Sequence, residues 1–466
     1  MSRPDALPAH TTAPATSRGP ARAPLPPRSR RAVRAAFLGF FVDYFDIYLP
    51  VVALAPAIGY FQPADLSPQL ATTLYYVSFA ATLLGRPLGA LVFGHIADTL
   101  GRQRATLIAL WGIGVCTLAI AALPGYASVG FASVGLLIGC RFVGGIFMGG
   151  EYTSANPLAI ESSPQHKRGL VGGMIQSAYP AGYISVSLIT LAVLELVPSG
   201  TLNSPYVQWG WRIPFAVGAL LVFAFIVYFR RVEESPEWAA DARTVERRPE
   251  SRGSSPVRDL FTGPNRRRFG ALAVMMTGWW FTVQAAISVV PGLLTQQLGI
   301  PADTVTTGLL LGNLALAASY LTSGVLGQRL GRRRSLITLA LATAVLSPVI
   351  FYFMIRQTLN GGPAWSTLVL ATLLLVVANC SFGILPSYLI EQFPPTVRAS
   401  GYGLAYSVGI IVPSFYSFYM LGLAHLMPYS YTPIVFLVLG GAMAALGAAL
   451  APDDAVPAPR TKGSLS

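Results

Sequence analysis

Five ionisable residues stand inside long apolar runs of the chain: Asp43, Asp46, Arg86, Arg141 and Glu151. A charge at the middle of a membrane helix costs about 2.5–3.5 kcal/mol on insertion scales, so each of these residues needs a partner or a task. Asp43 and Asp46 are three positions apart and share a helix face. Asp46 and Arg141 fall near the middle of their runs, at a depth that lets them pair. Arg86 lies to one side of the middle. Its guanidinium fork suits a substrate carboxylate, and equally Asp43 or backbone carbonyls. Glu151 follows Arg141 by ten residues, about 15 Å along a helix axis. That spacing puts it at the end of its helix, close to the polar loop of Asp98 and Arg102, as a gating or structural group.

These charges belong to the first half only. Two loop patterns repeat at an offset of 230 residues: Gly94…Asp98…Gly101-Arg102 with Gly324…Gln328…Gly331-Arg332, and Glu161-x-x-Pro164-x-x-x-Arg168 with Glu391-x-x-Pro394-x-x-x-Arg398. At the same offset the five buried charges become Ala273, Met276, Leu316, Ala371 and Ser381. The halves share a scaffold and differ in chemistry. The second half offers Trp279, Trp280, Gln284, Asn313, Asn379, Tyr388, Tyr402 and Tyr406, which could wall a cavity or simply pack. No chemistry gathers on His10, His95, His166 and His425, which lie in tails or at helix ends. Cys116, Cys140 and Cys380 have neither disulfide nor metal spacing. No metal, cofactor or catalytic cluster is expected.

The elements that must position these residues are transmembrane helices. Of the 466 residues, 53% are hydrophobic and 11% charged, and the mean hydropathy is +0.57. A soluble domain carries roughly 25% charge, so most of this chain needs lipid as its solvent. Twelve apolar segments approach spanning length: 36–58, 70–95, 105–124, 128–152, 169–194, 211–230, 269–292, 304–327, 335–355, 364–388, 399–422 and 430–450. Residues 1–34 read as a disordered tail without a signal peptide. A six-helix bundle follows over 35–230, an Arg-rich linker over 231–268, a second six-helix bundle over 269–450 and a tail over 451–466. Parallel repeats of six helices place a binding site between the halves, as in transporters.

The net charge of +13 is topological. With an even number of spans, 28 of the 32 Lys and Arg residues fall on the side that holds both termini and the loops after the even-numbered segments. That side is expected to be cytoplasmic. Charge scattered over short loops excludes a nucleic-acid role.

Several motifs together resemble the major facilitator superfamily, in its metabolite:proton symporter branch within the sugar-and-other transporter group. They are the Gly94…Asp98…Gly101-Arg102-Gln103-Arg104 loop, Gly85-Arg86-Pro87-Leu88-Gly89-Ala90, Arg141-x-x-x-Gly145 with Gly149-Gly150-Glu151, Trp209-Gly210-Trp211-Arg212-Ile213-Pro214-Phe215, and Glu233-Glu234-Ser235-Pro236-Glu237-Trp238. The resemblance spans about residues 36–450. There are departures. Asp43 stands where glutamate is usual, Phe40 follows Gly39 in place of asparagine, and Gln328 replaces the second loop's acid. Trp279-Trp280-Phe281-Thr282-Val283-Gln284 replaces the glutamine-rich helix of sugar carriers, which argues against a hexose. The Gly-Pro pattern of drug antiporters is missing from the segment of Gly172, Gly173, Pro180 and Gly182.

The resemblance implies an all-α membrane protein with the major facilitator fold, working in the cytoplasmic membrane with both termini inside. It implies uptake of a small organic metabolite with a proton, by alternating access and as a functional monomer. The two membrane arginines make a carboxylate the first choice of substrate. Proton-driven export of a metabolite or drug is the alternative. By resemblance Asp46 and Arg141 carry proton coupling, with Asp43 as a second acid, although a static pair that only orients two helices is also open. Arg86, Gln176, Trp279, Trp280, Gln284 and Asn379 are candidate substrate ligands, Gln176 because its helix faces the cavity in the family. Gly94, Asp98, Gly101, Arg102, Glu151, Glu161, Arg168, Glu391 and Arg398 are candidate gating residues. The ionic ones could equally be solvated surface pairs worth roughly 0–1 kcal/mol each.

Overall fold

A computed structural model describes residues 25–63, 66, 68–197, 200–234 and 260–452. Among these residues, twelve helices are long and apolar enough to cross a membrane. They are α1 (Pro27–Leu54), α2 (Val77–Leu100), α3 (Arg102–Ala121), α4 (Ala132–Glu161), α5 (Gln165–Leu196), α6 (Tyr206–Phe229), α7 (Asn265–Gly292), α8 (Thr304–Leu330), α9 (Arg332–Leu359), α10 (Ala364–Glu391), α11 (Arg398–Leu423) and α12 (Tyr429–Leu450). The described residues contain no strand. Many large apolar side chains face outward, among them Leu220, Val345 and Leu421. A surface of this kind is wetted by lipid rather than water.

The chain is helical from Pro27, inside the stretch expected as a tail. That stretch has no apolar periodicity, and tertiary contacts hold it instead. The Ser29 hydroxyl donates to the Ser162 carbonyl, Arg28 donates to the Glu234 carbonyl at 2.7 Å, and Arg28 pairs with Glu233 at 3.2 Å. Regular α geometry in α1 then ends at Leu49 and passes through a π turn, Pro50–Leu54, into a 3-10 turn, Ala55–Phe61. The seventh span likewise starts early. Helix runs from Gly263, within the expected linker, and Arg268 donates to the Gln392 carbonyl at 3.1 Å. The rest of the expected tails and linker, residues 1–24, 235–259 and 453–466, lies outside the described residues.

Small residues set the helix crossings that matter for the site. A Cβ on Gly89 would meet the Ile146 carbonyl oxygen at 1.8 Å, and one on Gly149 would meet the Arg86 carbonyl oxygen at 2.3 Å. Two Gly-x-x-x-Gly faces, Gly85/Gly89 on α2 and Gly145/Gly149 on α4, thus bring the backbones together. That crossing sets Arg86 beside Glu151 and Tyr152. Between the halves, Gly169 on α5 and Gly324 on α8 approach so closely that a Cβ on either would lie 2.3 Å from the other's carbonyl oxygen.

Candidate functional site

Both halves wall one cavity, with about 500 Å³ of atom-free space when the open space at its mouth is included. Tyr44 and Tyr48 come from α1, Arg86 from α2, Gln176 and Tyr179 from α5, Trp280 and Gln284 from α7, Tyr320 from α8 and Phe382 from α10. Three of these helices lose α geometry where they line it. α5 breaks at Ser177, α7 forms a π turn over Gln284–Ser288, and α10 tightens to a 3-10 turn over Cys380–Gly383. Such irregular turns free backbone groups and redirect side chains, and they concentrate at functional sites. The lining is chiefly aromatic. Tyr44 and Tyr179 have ring centroids 4.9 Å apart, Tyr48 and Tyr179 5.8 Å, and Trp280 and Phe382 6.0 Å. Gln284 accepts from Ser288 at 2.6 Å, and its amide nitrogen is unengaged among the described residues.

Of the six candidate substrate ligands, Arg86, Gln176, Trp280 and Gln284 line the cavity, whereas Trp279 and Asn379 do not. Trp279 is fully buried, with its ring centroid 6.4 Å from that of Phe382. Asn379 donates to the Leu375 carbonyl one turn back, at 2.9 Å.

The charges of the first half form two separate buried groups. In the first, Arg141 donates to the Asp46 carboxylate at 3.2 Å and to the carbonyls of Asp46 and Ile47 at 3.3 and 3.4 Å. Thr117 on α3 donates to the other Asp46 oxygen at 2.5 Å. The pair therefore ties α1, α3 and α4 together behind the cavity wall. In the second group, Arg86 reaches Asp43 at 3.4 Å and lies over the Tyr152 ring, 4.8 Å from its centroid. Glu151 belongs here and not with the Asp98–Arg102 loop, because its carboxyl rests on Gly39, one turn before Asp43. The close α2–α4 crossing and the bare Cα of Gly39 admit it to the interior. The expectation of a place beside the loop counted distance along α4 alone.

At the Arg-rich end, the repeated loops dock each half on the other. Asp98 accepts the backbone amides of Ala399 and Ser400 at 3.2 and 3.0 Å and the Ser400 hydroxyl at 2.7 Å. It thereby caps the N-terminus of α11, where the helix dipole favours an anion. Gln328, at the equivalent place, accepts the Gly169 amide of α5 at 3.0 Å. Glu161 joins Arg102 of its own half, at 3.5 Å, to Arg398 of the other half, at 3.2 Å. Glu391 mirrors it, joining Arg332 of its own half to Arg168 across the interface, the latter at 3.8 Å. Gly101 has φ of 105°, a left-handed conformation that suits glycine, and it turns α2 into α3. A Cβ on Gly94 would sit 2.9 Å from the Ser400 Cα. The Arg-rich end is therefore closed. Apart from Glu151, the candidate gating residues meet there.

Spacing did not reveal Thr117, Tyr152, Ser400 or the bond from Asn156 to the Tyr402 hydroxyl across the halves, at 2.7 Å. Hydroxyl and aromatic residues are common in membrane helices, and only the crossing geometry singles these out. Gln328, read from the sequence only as a departure from the acid at Asp98's place, proves to cap the opposite helix as Asp98 does.

Comparison with known proteins agrees with this architecture. The family model described as "Sugar (and other) transporter" matches residues 32–253 and 239–453. The shikimate transporter of Escherichia coli (strain K12) is 26% identical over 389 residues, covering 83% of this chain and 85% of the relative. The proline/betaine transporter of Salmonella typhimurium is 27% identical over 422 residues, covering 88% and 82%. Among solved structures, the proton:xylose symporter XylE bound to 6-bromo-6-deoxy-D-glucose superposes with a TM-score of 0.68 at 20% identity, covering 91% of this chain and 94% of that one. XylE from E. coli in a partially occluded inward open conformation gives 0.66 at 18% identity, covering 91% and 96%. With twelve membrane helices in the major facilitator fold and a family match over both halves, the chain belongs to the sugar (and other) transporter family of multi-pass membrane transporters.

Proposed function

We propose that this transporter imports a small organic acid together with a proton, acting as a monomer with its Arg-rich end in the cytoplasm. The observation that carries proton coupling is the Asp46–Arg141 pair, held by Thr117 in the interior of the first half. Arginine does not give up its proton, so the acid is the carrier. Joined to Arg141, Asp46 is ionised. Parted from it in a water-poor interior, the neutral acid is the cheaper form. Helix movements that part and rejoin the pair couple proton binding to alternating access. With the cytoplasmic end closed, the cavity is sealed from that side.

Arg86 is the cation that lines the cavity, and its Nε is unengaged among the described residues. A substrate carboxylate that met it would gain a charge-assisted bond. The shikimate carrier among the relatives handles a molecule of this kind. The aromatic lining favours a second reading. Tyr44, Tyr48, Tyr179 and Trp280 offer ring faces to a cation, so a zwitterion could place its carboxylate on Arg86 and its ammonium on the rings. Proline/betaine carriers are also among the relatives.

Binding of shikimate and glycine betaine, followed by thermal shift of the purified protein, tests the ligand role of Arg86. Arg86→Lys keeps the charge but loses the fork, and is expected to weaken acid binding. Arg86→Gln is expected to weaken it by roughly 10- to 100-fold, the worth of one charge-assisted bond. Amide analogues of the acids should bind wild type poorly. Normal acid binding by Arg86→Gln, or equal binding of amides and acids, would remove Arg86 from the site.

A further inference from the structure

Glu151 is 0% exposed, and neither of its carboxyl oxygens meets a hydrogen-bond donor among the described residues. Asp43 is equally buried, and only one of its oxygens is engaged, by Arg86 at 3.4 Å. Among the described residues around this pocket, α6 presents only the Phe225 ring. α1 adds Tyr44, beside Arg86 and Tyr406, and the remaining charged and titratable groups come from four helices. Asp46 stands on α1, Arg86 on α2, Tyr152 on α4, and Tyr402 and Tyr406 on α11. Asp46 is committed to Arg141 and Thr117. The tyrosines are neutral. Arg86 is thus, among the described residues, the one cation available to two carboxyls.

Charge counting then sets the state of the pocket. Two ionised carboxylates and one guanidinium would leave a net negative charge in a dry interior, with one anion lacking any hydrogen bond. An uncompensated charge of that kind costs several kcal/mol or more. One bound proton makes the group neutral. The bond to Arg86 places the charge on Asp43 and the proton on Glu151.

We propose that Asp43, Arg86 and Glu151 form a second proton-binding site, separate from the Asp46–Arg141 pair, in which two carboxyls share one proton and one guanidinium. Arg86 links this site to the cavity, because it touches both. An anionic group arriving on Arg86 would draw it from Asp43 and leave that acid to bind a proton in its turn. The resting site is a property of the empty protein. It does not depend on the transported substrate or on the direction of transport.

Infrared spectroscopy of the full-length protein in lipid at neutral pH reads the site without substrate, through the carbonyl stretch of a neutral carboxyl. Wild type should show that band. Glu151→Gln, close in shape to the neutral acid, should remove it. Asp43→Asn should remove it too, because Glu151 then takes over the only cation and ionises. Asp46→Asn should leave it in place. The proposal is overturned by a wild type without the band, by a band that survives Glu151→Gln, or by loss of the band in Asp46→Asn. It is also overturned by a band that survives Asp43→Asn, which would mark Glu151 as a lone neutral acid that shares nothing with Arg86. Transport failing while the band pattern holds would count against the importer reading and not against this site.

Discussion

Asp46→Asn is expected to abolish uphill uptake driven by a pH gradient while leaving exchange of substrate across the membrane. Asparagine keeps the size of the side chain and can still meet Thr117, but it cannot carry a proton. Arg141 keeps the carbonyls of Asp46 and Ile47, so it is not left without partners. Removing one member of a buried pair costs about 3–5 kcal/mol when the other is stranded. The retained carbonyl bonds should hold the loss below that and let the variant fold. Counterflow requires the loaded carrier to reorient but does not require net proton movement, so it should survive. Accumulation by Asp46→Asn at the wild-type level would show that the proton travels elsewhere. Loss of counterflow as well, in a folded variant, would make the pair structural.

The second large effect is expected at Glu161. Its carboxyl holds Arg102 and Arg398, and through the latter it joins the halves across the closed end. Glu161→Gln removes the anion that bridges two buried guanidiniums, and with it the ionic link between the two halves at this point. Arg102 keeps Asp98 at 2.7 Å, and Arg398 keeps the Phe393 carbonyl at 3.0 Å. A stranded buried charge costs about 3–5 kcal/mol. Because both arginines keep other partners, the closed state should lose less, roughly 1.5–3 kcal/mol, which shifts the conformational ratio by about one to two orders of magnitude. Spin labels at Leu100→Cys and Leu330→Cys report the change, since both positions are exposed at the ends of α2 and α8. The native cysteines would be replaced by serine for this experiment. The distance distribution should move to longer values in Glu161→Gln. An unchanged distribution would mean that the capping bonds of Asp98 and Gln328 hold the interface without the salt bridges. Glu391→Gln should act more weakly, because the Glu391 side chain is 22% exposed and water screens its pairs.

The fold was legible because a bilayer imposes one rule on every span. A run of apolar residues long enough to cross reads as a helix, and all twelve runs correspond to helices. Helix ends were less legible. The helix from Pro27 and the helical lead-in from Gly263 to α7 are held by bonds to distant residues, which periodicity does not report. The gate could be read because its residues repeat at one offset, so Glu161 and Glu391 announced each other. The buried charges were visible as types, but their partners were not. Similar depth made an Asp46–Arg141 pair possible, and the family resemblance singled it out. The place of Glu151 depended on a glycine crossing and on the bare Cα of Gly39, which sequence spacing along one helix cannot convey. Trp279 and Trp280 show the same limit, since adjacent residues on α7 point to different surroundings and only Trp280 reaches the cavity.

Uptake of radiolabelled shikimate and glycine betaine into proteoliposomes under an imposed inward proton gradient tests proton-coupled import most directly. At least one of them should accumulate above its external concentration. A protonophore should collapse that accumulation, and Asp46→Asn should not show it. Accumulation that persists after the gradient is collapsed, or no accumulation of either compound by a folded wild-type protein, would contradict proton-coupled import.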